Sequence, residues 1–365
     1  MNTDQLKKGT IPMAITKKSY GFMPDGREVF LFTLTNASGA SISMTNYGAI
    51  VTSICVPDRE GKLADVALGF DTLDKYLQSH GSMGDTIGRY GNRIAAGRFT
   101  LDGVTYQLNL NNGKNHLHGG PEGLSHKLWD VEVREEENID SLIFHYLSPD
   151  GEENYPGNLD VHVTYSWDRD NNLSIRYEAV TDKPTLCNMT NHTYFNLAGH
   201  DSGNICGQRI RIEADVITPV DSGLIPLGTY MPVAGTPLDM NGTFTLGEGL
   251  ARMQDCPQMI PAGGYDHNFV LRKGESVGLV ATATDDASGR QMLVISDQPA
   301  VQLYTACTTD LTGGKGGAHY EKFCGFCLET QHCPDDPNHP QFPGTTVLRP
   351  GEKYDTTTIY AFRTV

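Results

Sequence analysis

Apolar and polar residues alternate along short runs of this chain, and a turn closes each run before it grows long. VHVTYSW (161–167) and LSIRYEAV (173–180) alternate with period two and flank DRDNN (168–172), which predicts a β-hairpin. REVFLFTLTN (27–36), SISMTNYGAIVTSICV (41–56) and QRIRIEADVITPV (208–220) read the same way, each as extended chain. Turn signals punctuate the sequence: PDG at 24–26, NASG at 36–39, DREG at 58–61, LDG at 101–103, SPDG at 148–151 and DASG at 287–290. Short strands separated by such turns predict an all-β fold, a sandwich or a barrel. Helical periodicity is confined to FDTLDKYLQSH (70–80), where Leu73, Tyr76 and Leu77 fall at i, i+3 and i+4 and Asp71 stands as the candidate N-cap. No repeat, low-complexity run or linker interrupts the pattern. The expectation is one domain over residues 1–365, with 1–12 as a loose N-terminal arm.

A chain of 365 residues can bury an ample core without disulfides or metals. Its 44 acidic residues against 28 basic ones give a formal charge of −16. That disfavours nucleic acid and anionic membranes, whose binding rests on Lys and Arg, and it fits a neutral small-molecule partner better than a phosphorylated one. No apolar stretch approaches the ~20 residues that span a bilayer, and the first 21 residues lack the apolar region of a secretory signal. Eight cysteines without framework spacing read as reduced thiols, so a cytoplasmic location is expected.

Candidate chemistry is sparse but concentrated. There is no G-x-S-x-G elbow and no phosphate-binding G-x-x-x-x-G-K-[ST] loop. TGGKGG (312–317) reads as a flexible surface loop, and CGFC (324–327), placed on a strand, as packing thiols. In HLHGG (116–120), His116 and His118 would share a face if extended. That spacing suits a metal pair, with a carboxylate still required, or equally a structural histidine before a Gly-Gly turn. GRYGNRI (88–94) sets Asn92 beside Arg93. TNHTYFN (190–196) packs hydrogen-bonding groups around His192; a strand would put Thr190, His192 and Tyr194 on one face. A histidine in such a place is more often a satisfied core residue than a catalyst. GGYDHNFVL (263–271) aligns Asp266 with Asn268 and Val270, and GFCLETQ (325–331) aligns Cys327, Glu329 and Gln331. A carboxylate inside an apolar strand needs a partner or a purpose, so Glu329 stands out as functional.

Together these segments resemble the aldose 1-epimerases, also called galactose mutarotases. The resemblance runs through NYGAIVTSICVPDREGKLADVALGFDTLDKY, GRYGNRIAAGRFTLDGVTYQLNLNNGKNHLHGG, SPDGEENYPGNLDVHVTY, TNHTYFNLAGH, YDHNFVL, VQLYT and GFCLETQHCPDDPNHPQFPGTTVLRPGEKY, nearly the whole chain. It implies a large antiparallel β-sandwich, the galactose mutarotase-like supersandwich, with few short helices. It implies exchange of the α and β anomers of free aldoses such as galactose and glucose, with no cofactor and no metal. By motif, Glu329 would be the general base and His192 the general acid; His118 would hold the ring-oxygen region, and Asn92, Arg93, Asp266 and Gln302 would bind hydroxyls. Tyr90 and Gly91 before the Asn-Arg pair, and Leu303 after Gln302, depart from the pattern around these positions. The partner implied is a small aldose, with the chain a monomer or homodimer. Three rivals remain: a non-catalytic sugar-binding module on the same fold, a hexose-phosphate epimerase, and a metalloenzyme using His116, His118 and Glu329.

Overall fold

Alternation becomes sheet where the turns allow it. The computed structural model describes residues 13–79 and 81–365; the arm expected at 1–12 lies outside the described residues. In Leu159–Asp168 every second side chain is buried, and the chain returns through 168–172 as Asn172–Thr181, with Leu159 opposite Thr181 and Trp167 opposite Leu173. This predicted hairpin is part of an eight-stranded antiparallel sheet. Its order is Asp130–Glu135, Ile139–Ser148, Leu159–Asp168, Asn172–Thr181, Tyr354–Thr364, Arg290–Ser296, Gly278–Thr284 and Arg209–Ile212.

Two five-stranded sheets complete the framework. The N-terminal one runs in chain order through Ala14–Phe22, Glu28–Thr35, Ser41–Thr45, Ile50–Pro57 and Leu63–Asp65. The other is ordered Met231–Pro232, Ala214–Ile217, Asp266–Leu271, Ala300–Tyr304 and Cys327–Gln331. One apolar cluster joins all three sheets: Phe32, Ile42 and Val51 from the first, Phe144, Trp167 and Ile175 from the eight-stranded sheet, Phe269, Val301 and Leu328 from the third. Each such side chain stabilises the fold by about 1.5–3 kcal/mol through removal from water. The fold is therefore an all-β antiparallel sandwich, and the two α-helices among the described residues have six residues each.

Three sequence expectations change. The run 41–56 is two strands, Ser41–Thr45 and Ile50–Pro57, paired with Ser41 opposite Cys55. The reversal between them is tied by Asn46, whose Oδ1 accepts the Phe30 N–H at 2.8 Å. The run 208–220 also divides: Arg209–Ile212 joins the eight-stranded sheet and Ala214–Ile217 the third sheet, so one apolar run passes from layer to layer. The predicted helix spans Leu73–Gln78 with Leu73 and Tyr76 buried, but Thr72 is its N-cap. Asp71 is engaged elsewhere, accepting the Gly316 N–H at 2.8 Å.

That contact also overturns the reading of TGGKGG as a flexible surface loop. Lys315 is 8% exposed; its ammonium donates to the Thr52 carbonyl at 2.9 Å and to the Asp65 carboxylate. A buried ammonium requires such partners, and they pin the loop to the N-terminal sheet. All eight cysteines are unpaired thiols, and Cys324 and Cys327 are packed in apolar surroundings, the strand starting only at Cys327. Among the described residues no helix is long and apolar enough to cross a membrane.

Candidate active site

The third sheet supplies the floor of a cleft. Pairing across its strands puts Asn268 opposite Gln302 and Gln302 opposite Glu329, one rung of polar side chains. The pleat carries Cys327, Glu329 and Gln331 to one face, as the sequence predicts. Glu329 is 1% exposed.

His192 reaches this floor by a different route from the one expected. Strand geometry lasts only through Thr190–Asn191, paired with Thr86–Ile87. Beyond it the chain is irregular, so the period-two assignment of faces ends, and residues 190–196 are buried throughout. The polar side chains of TNHTYFN replace the missing ladder. Asn191 Oδ1 accepts the Thr193 N–H at 3.0 Å and its hydroxyl at 2.6 Å, while Asn191 Nδ2 donates to the Gly84 carbonyl at 3.2 Å. The His192 N–H donates to the Asp85 carbonyl at 2.9 Å, and the Gly84 N–H to the His192 carbonyl at 3.0 Å. These bonds satisfy a buried irregular backbone and fix where the imidazole points.

The ring lies across the strand below it. Nε2 is 3.5 Å from Glu329 Oε1, and Nδ1 is 3.5 Å from Cys327 Sγ. Residues i and i+2 of a strand stand roughly 6.8 Å apart, so one imidazole can meet a thiol at one nitrogen and a carboxyl at the other. Tyr194 packs on the ring at 5.0 Å and His118 stands perpendicular to it at 5.1 Å, between centroids. Cys327 was read from sequence as packing only. Its place on the Glu329 face was the signal that marked it as more.

The rest of the site gathers around this pair. His118 has φ +53°, so HLHGG is not extended at the second histidine. The turn is possible because Gly119 rests on Gly88, where a Cβ would come within 1.8 Å of the Gly88 carbonyl oxygen. Asn92 and His118 are thereby clasped: the His118 N–H donates to the Asn92 carbonyl at 3.1 Å, and the Asn92 N–H donates to His118 Nδ1 at 3.1 Å. Arg93 Nε donates to Asn112 Oδ1 at 3.2 Å, and its Nη1 lies 3.7 Å from Asp266 Oδ2. His118, His192, Asn92, Arg93, Asp266 and Glu329 all line one cleft of about 370 Å³. Gln302 is not in that lining. It sits behind Asp266 and donates to its Oδ1 at 2.6 Å.

His116 is not brought to the cleft. It is buried, with Nδ1 donating to the Asn109 carbonyl at 2.6 Å and the Tyr155 hydroxyl donating to Nε2 at 2.7 Å. The metal set of His116, His118 and Glu329 is therefore not assembled. His118, His192 and Glu329 do bring donor atoms within 4.8 Å of one another. But His118 Nδ1 accepts a backbone N–H, so the neutral ring keeps its hydrogen on Nε2. A metal-bound histidine is arranged the other way, donating from the nitrogen that does not hold the ion.

Burial sets the protonation of the pair. It drives the Glu329 carboxyl well above the carboxylate range, with Asp266 adding to the rise and Arg93 opposing it. It pushes the His192 imidazole down to about 4. His118 is held well below its ordinary value by burial, by His192 and by Arg93. In the sugar-free cleft burial thus favours the uncharged form of both groups, the carboxyl at Glu329 and the neutral imidazole at His192. Among the described residues Glu329 Oε2 has no hydrogen-bond partner.

A buried carboxyl–imidazole pair in a polar cleft on an antiparallel sandwich is the equipment of an acid–base enzyme for a small, hydroxyl-rich molecule. The sequence profile of the Aldose 1-epimerase family matches residues 31–361, and the chain belongs to that family of isomerases. It is 41% identical over 351 residues to a galactose mutarotase of Sus scrofa, covering 96% of this chain and 99% of that one. It is 36% identical over 341 residues to an aldose 1-epimerase of Escherichia coli K12, covering 93% and 96%. The crystal structure of a galactose 1-epimerase from Lactobacillus acidophilus superposes with a TM-score of 0.84 at 29% identity, covering 96% and 99%.

Proposed function

We propose that this epimerase interconverts the α and β anomers of free hexoses, galactose and glucose among them, with Glu329 as general base and His192 as general acid. The observation that carries the assignment is the 3.5 Å approach of His192 Nε2 to Glu329 Oε1 inside a polar cleft. Anomer exchange breaks the C1–O5 bond, turns the aldehyde about C1–C2 and closes the ring on the other face. Glu329 takes the O1 proton as His192 gives one to O5, and closure reverses both transfers. Each positioned group contributes roughly 100- to 10,000-fold.

The proton inventory supports this order of events. Carboxylate plus imidazolium is the pair that acts on the closed sugar; carboxyl plus neutral imidazole is the pair left beside the open aldehyde. Burial raises the carboxyl and lowers the imidazole, which favours moving a proton onto Glu329 and off His192. A bound sugar hydroxyl donating to Glu329 favours its ionised form and opposes the effect of burial.

Asn92, Arg93, His118 and Asp266 would hold the hydroxyls and ring oxygen, and Gln302 would act through Asp266. Among the described residues, Arg93 is the one Lys or Arg in the cleft lining, set against Asp266 and Glu329. That balance favours a neutral sugar over a hexose phosphate. Polarimetry of freshly dissolved α-galactose or α-glucose tests the reading. An accelerated approach to anomeric equilibrium supports it; binding by calorimetry without acceleration would favour a sugar-binding module instead.

A further inference from the structure

The outer face of the eight-stranded sheet carries a cluster that anomer exchange does not use. Cross-strand register puts Asp130, His145, His162, Glu178 and Asp355 side by side on five neighbouring strands. Asp160 stands two residues before His162, on the same face. The His145 and His162 rings stack at 4.4 Å with an interplanar angle of 20°. His145 Nε2 is 2.7 Å from Asp160 Oδ1, and His162 Nδ1 is 3.9 Å from the same oxygen. Their donor atoms all lie within 4.8 Å of one another. The apolar core lies on the opposite face of this sheet.

We propose that His145, His162 and Asp160 form a surface site for a borderline divalent transition-metal cation such as Zn²⁺. Two imidazole nitrogens and one carboxylate oxygen suit zinc or copper(II) rather than calcium or magnesium, which take oxygen ligands. A tetrahedral ion with ligands at about 2.05 Å needs donor atoms about 3.4 Å apart. The 2.7 Å contact has to open and the 3.9 Å contact has to close, and because an ion lies in the plane of each imidazole that binds it, the stacked rings have to turn out of parallel by side-chain rotation on a fixed backbone. Side chains 40–45% exposed leave room for water in the remaining positions. Glu178, opposite His162 along the rung, is already held by Lys353 and Arg176 and stays outside the set. The ion would clamp Ile139–Ser148 to Leu159–Asp168, and so raise thermal stability while leaving catalysis unchanged.

Calorimetric titration of the metal-free full chain with ZnCl₂, in a non-coordinating buffer, tests this. One equivalent is expected to bind, with affinity lowered by roughly tenfold or more in His162→Ala and unchanged in Glu329→Gln. The thermal midpoint is expected to rise with Zn²⁺ in the wild type but not in His162→Ala, whose polarimetric rate stays at the wild-type value. Absence of binding at submillimolar Zn²⁺ would overturn the proposal. So would binding that survives in His162→Ala, whether it is lost in Glu329→Gln (an ion in the cleft) or survives there too (an ion on the thiols). Should His162→Ala not fold, Cu²⁺-loaded Glu329→Gln decides by electron paramagnetic resonance: coupling to two imidazole nitrogens supports the site, and its absence sinks it.

Discussion

His192 Nε2 lies 3.5 Å from Glu329 Oε1, the one side chain 6% exposed and the other 2%. Glu329→Gln keeps the size of the side chain and removes its ability to take a proton. The expected loss in polarimetric rate is roughly 100- to 10,000-fold. Stability should hold or rise, because the wild-type chain buries a carboxyl whose second oxygen has no partner among the described residues. A wild-type rate in this variant, with an unchanged circular dichroism melt, removes Glu329 as the base.

The same pair fixes the shape of the pH profile. On the proposed mechanism, activity needs one proton shared between the two groups. As pH falls through about 4, the depressed imidazole gains a second proton for the pair and catalysis is lost. As pH rises through the elevated carboxyl value, the single proton leaves and catalysis is lost again. The expected kcat/KM profile is a bell with a wide plateau. Its acid limb belongs near 4, well below the ordinary histidine value of 6.5. An acid limb at 6.5 would mean that His192 titrates as an exposed imidazole.

Cys327 holds the far side of the ring, with Sγ 3.5 Å from His192 Nδ1. Cys327→Ala should lower kcat by roughly tenfold, or about 1.4 kcal/mol, with KM little changed, since the thiol touches His192 and does not line the cleft. Cys327→Ser should recover part of the loss by restoring a hydrogen-bonding group. Equal loss in both variants, with a lowered melt, would reduce the thiol to packing.

The fold was legible wherever alternation and a polar turn coincided, as at 161–180, and misread where a reversal hid inside an apolar run. SISMTNYGAIVTSICV conceals its turn because Asn46 binds a distant strand rather than announcing a polar loop. The second helix, Leu246–Ala251, was missed although Thr245 and Glu248 form a reciprocal capping box at the spacing that marks one. In the site, Glu329 stood out because a strand period is two and a carboxyl there is conspicuous. His192 could not be oriented from sequence, since its backbone is held by Asn191 and Thr193 and not by a ladder. Nor could spacing separate His116 from His118, which only the family motif told apart. That division rests on one residue with positive φ and on Tyr155, distant in the chain.

His116 offers a stability test independent of catalysis. Burial brings its imidazole down to about 4 from an ordinary 6.5, and its two hydrogen bonds require the neutral ring. Between those values the unfolded chain binds the extra proton, so stability rises with pH. The contribution is complete above 6.5 and gone as pH falls through about 4, a swing of about 3 kcal/mol. Urea midpoints of the wild type should therefore fall between pH 7 and pH 4.5 more steeply than those of His116→Gln. Parallel slopes would show that the ring is not held neutral.

GRYGNRI contains two arginines with opposite duties, and substituting each by lysine separates them. Arg89 is 2% exposed. Its Nε donates to the Ser148 hydroxyl at 2.9 Å, and its two Nη groups reach the carbonyls of Ser148, Pro149 and Gly157 at 2.9 Å and of Pro156 at 3.2 Å. A planar fork meets so many acceptors at once and an ammonium does not. Arg89→Lys leaves two or more buried acceptors unsatisfied, at a cost of about 2–5 kcal/mol, and should lower the melting midpoint with little change in KM of the folded fraction. Arg93 opens on the cleft between Asn112 and Asp266. Arg93→Lys should melt within a few degrees of the wild type while raising KM, because what it would remove, on the proposed function, is a directional grip on sugar hydroxyls. If the two variants exchange these signatures, the cleft has been assigned to the wrong arginine.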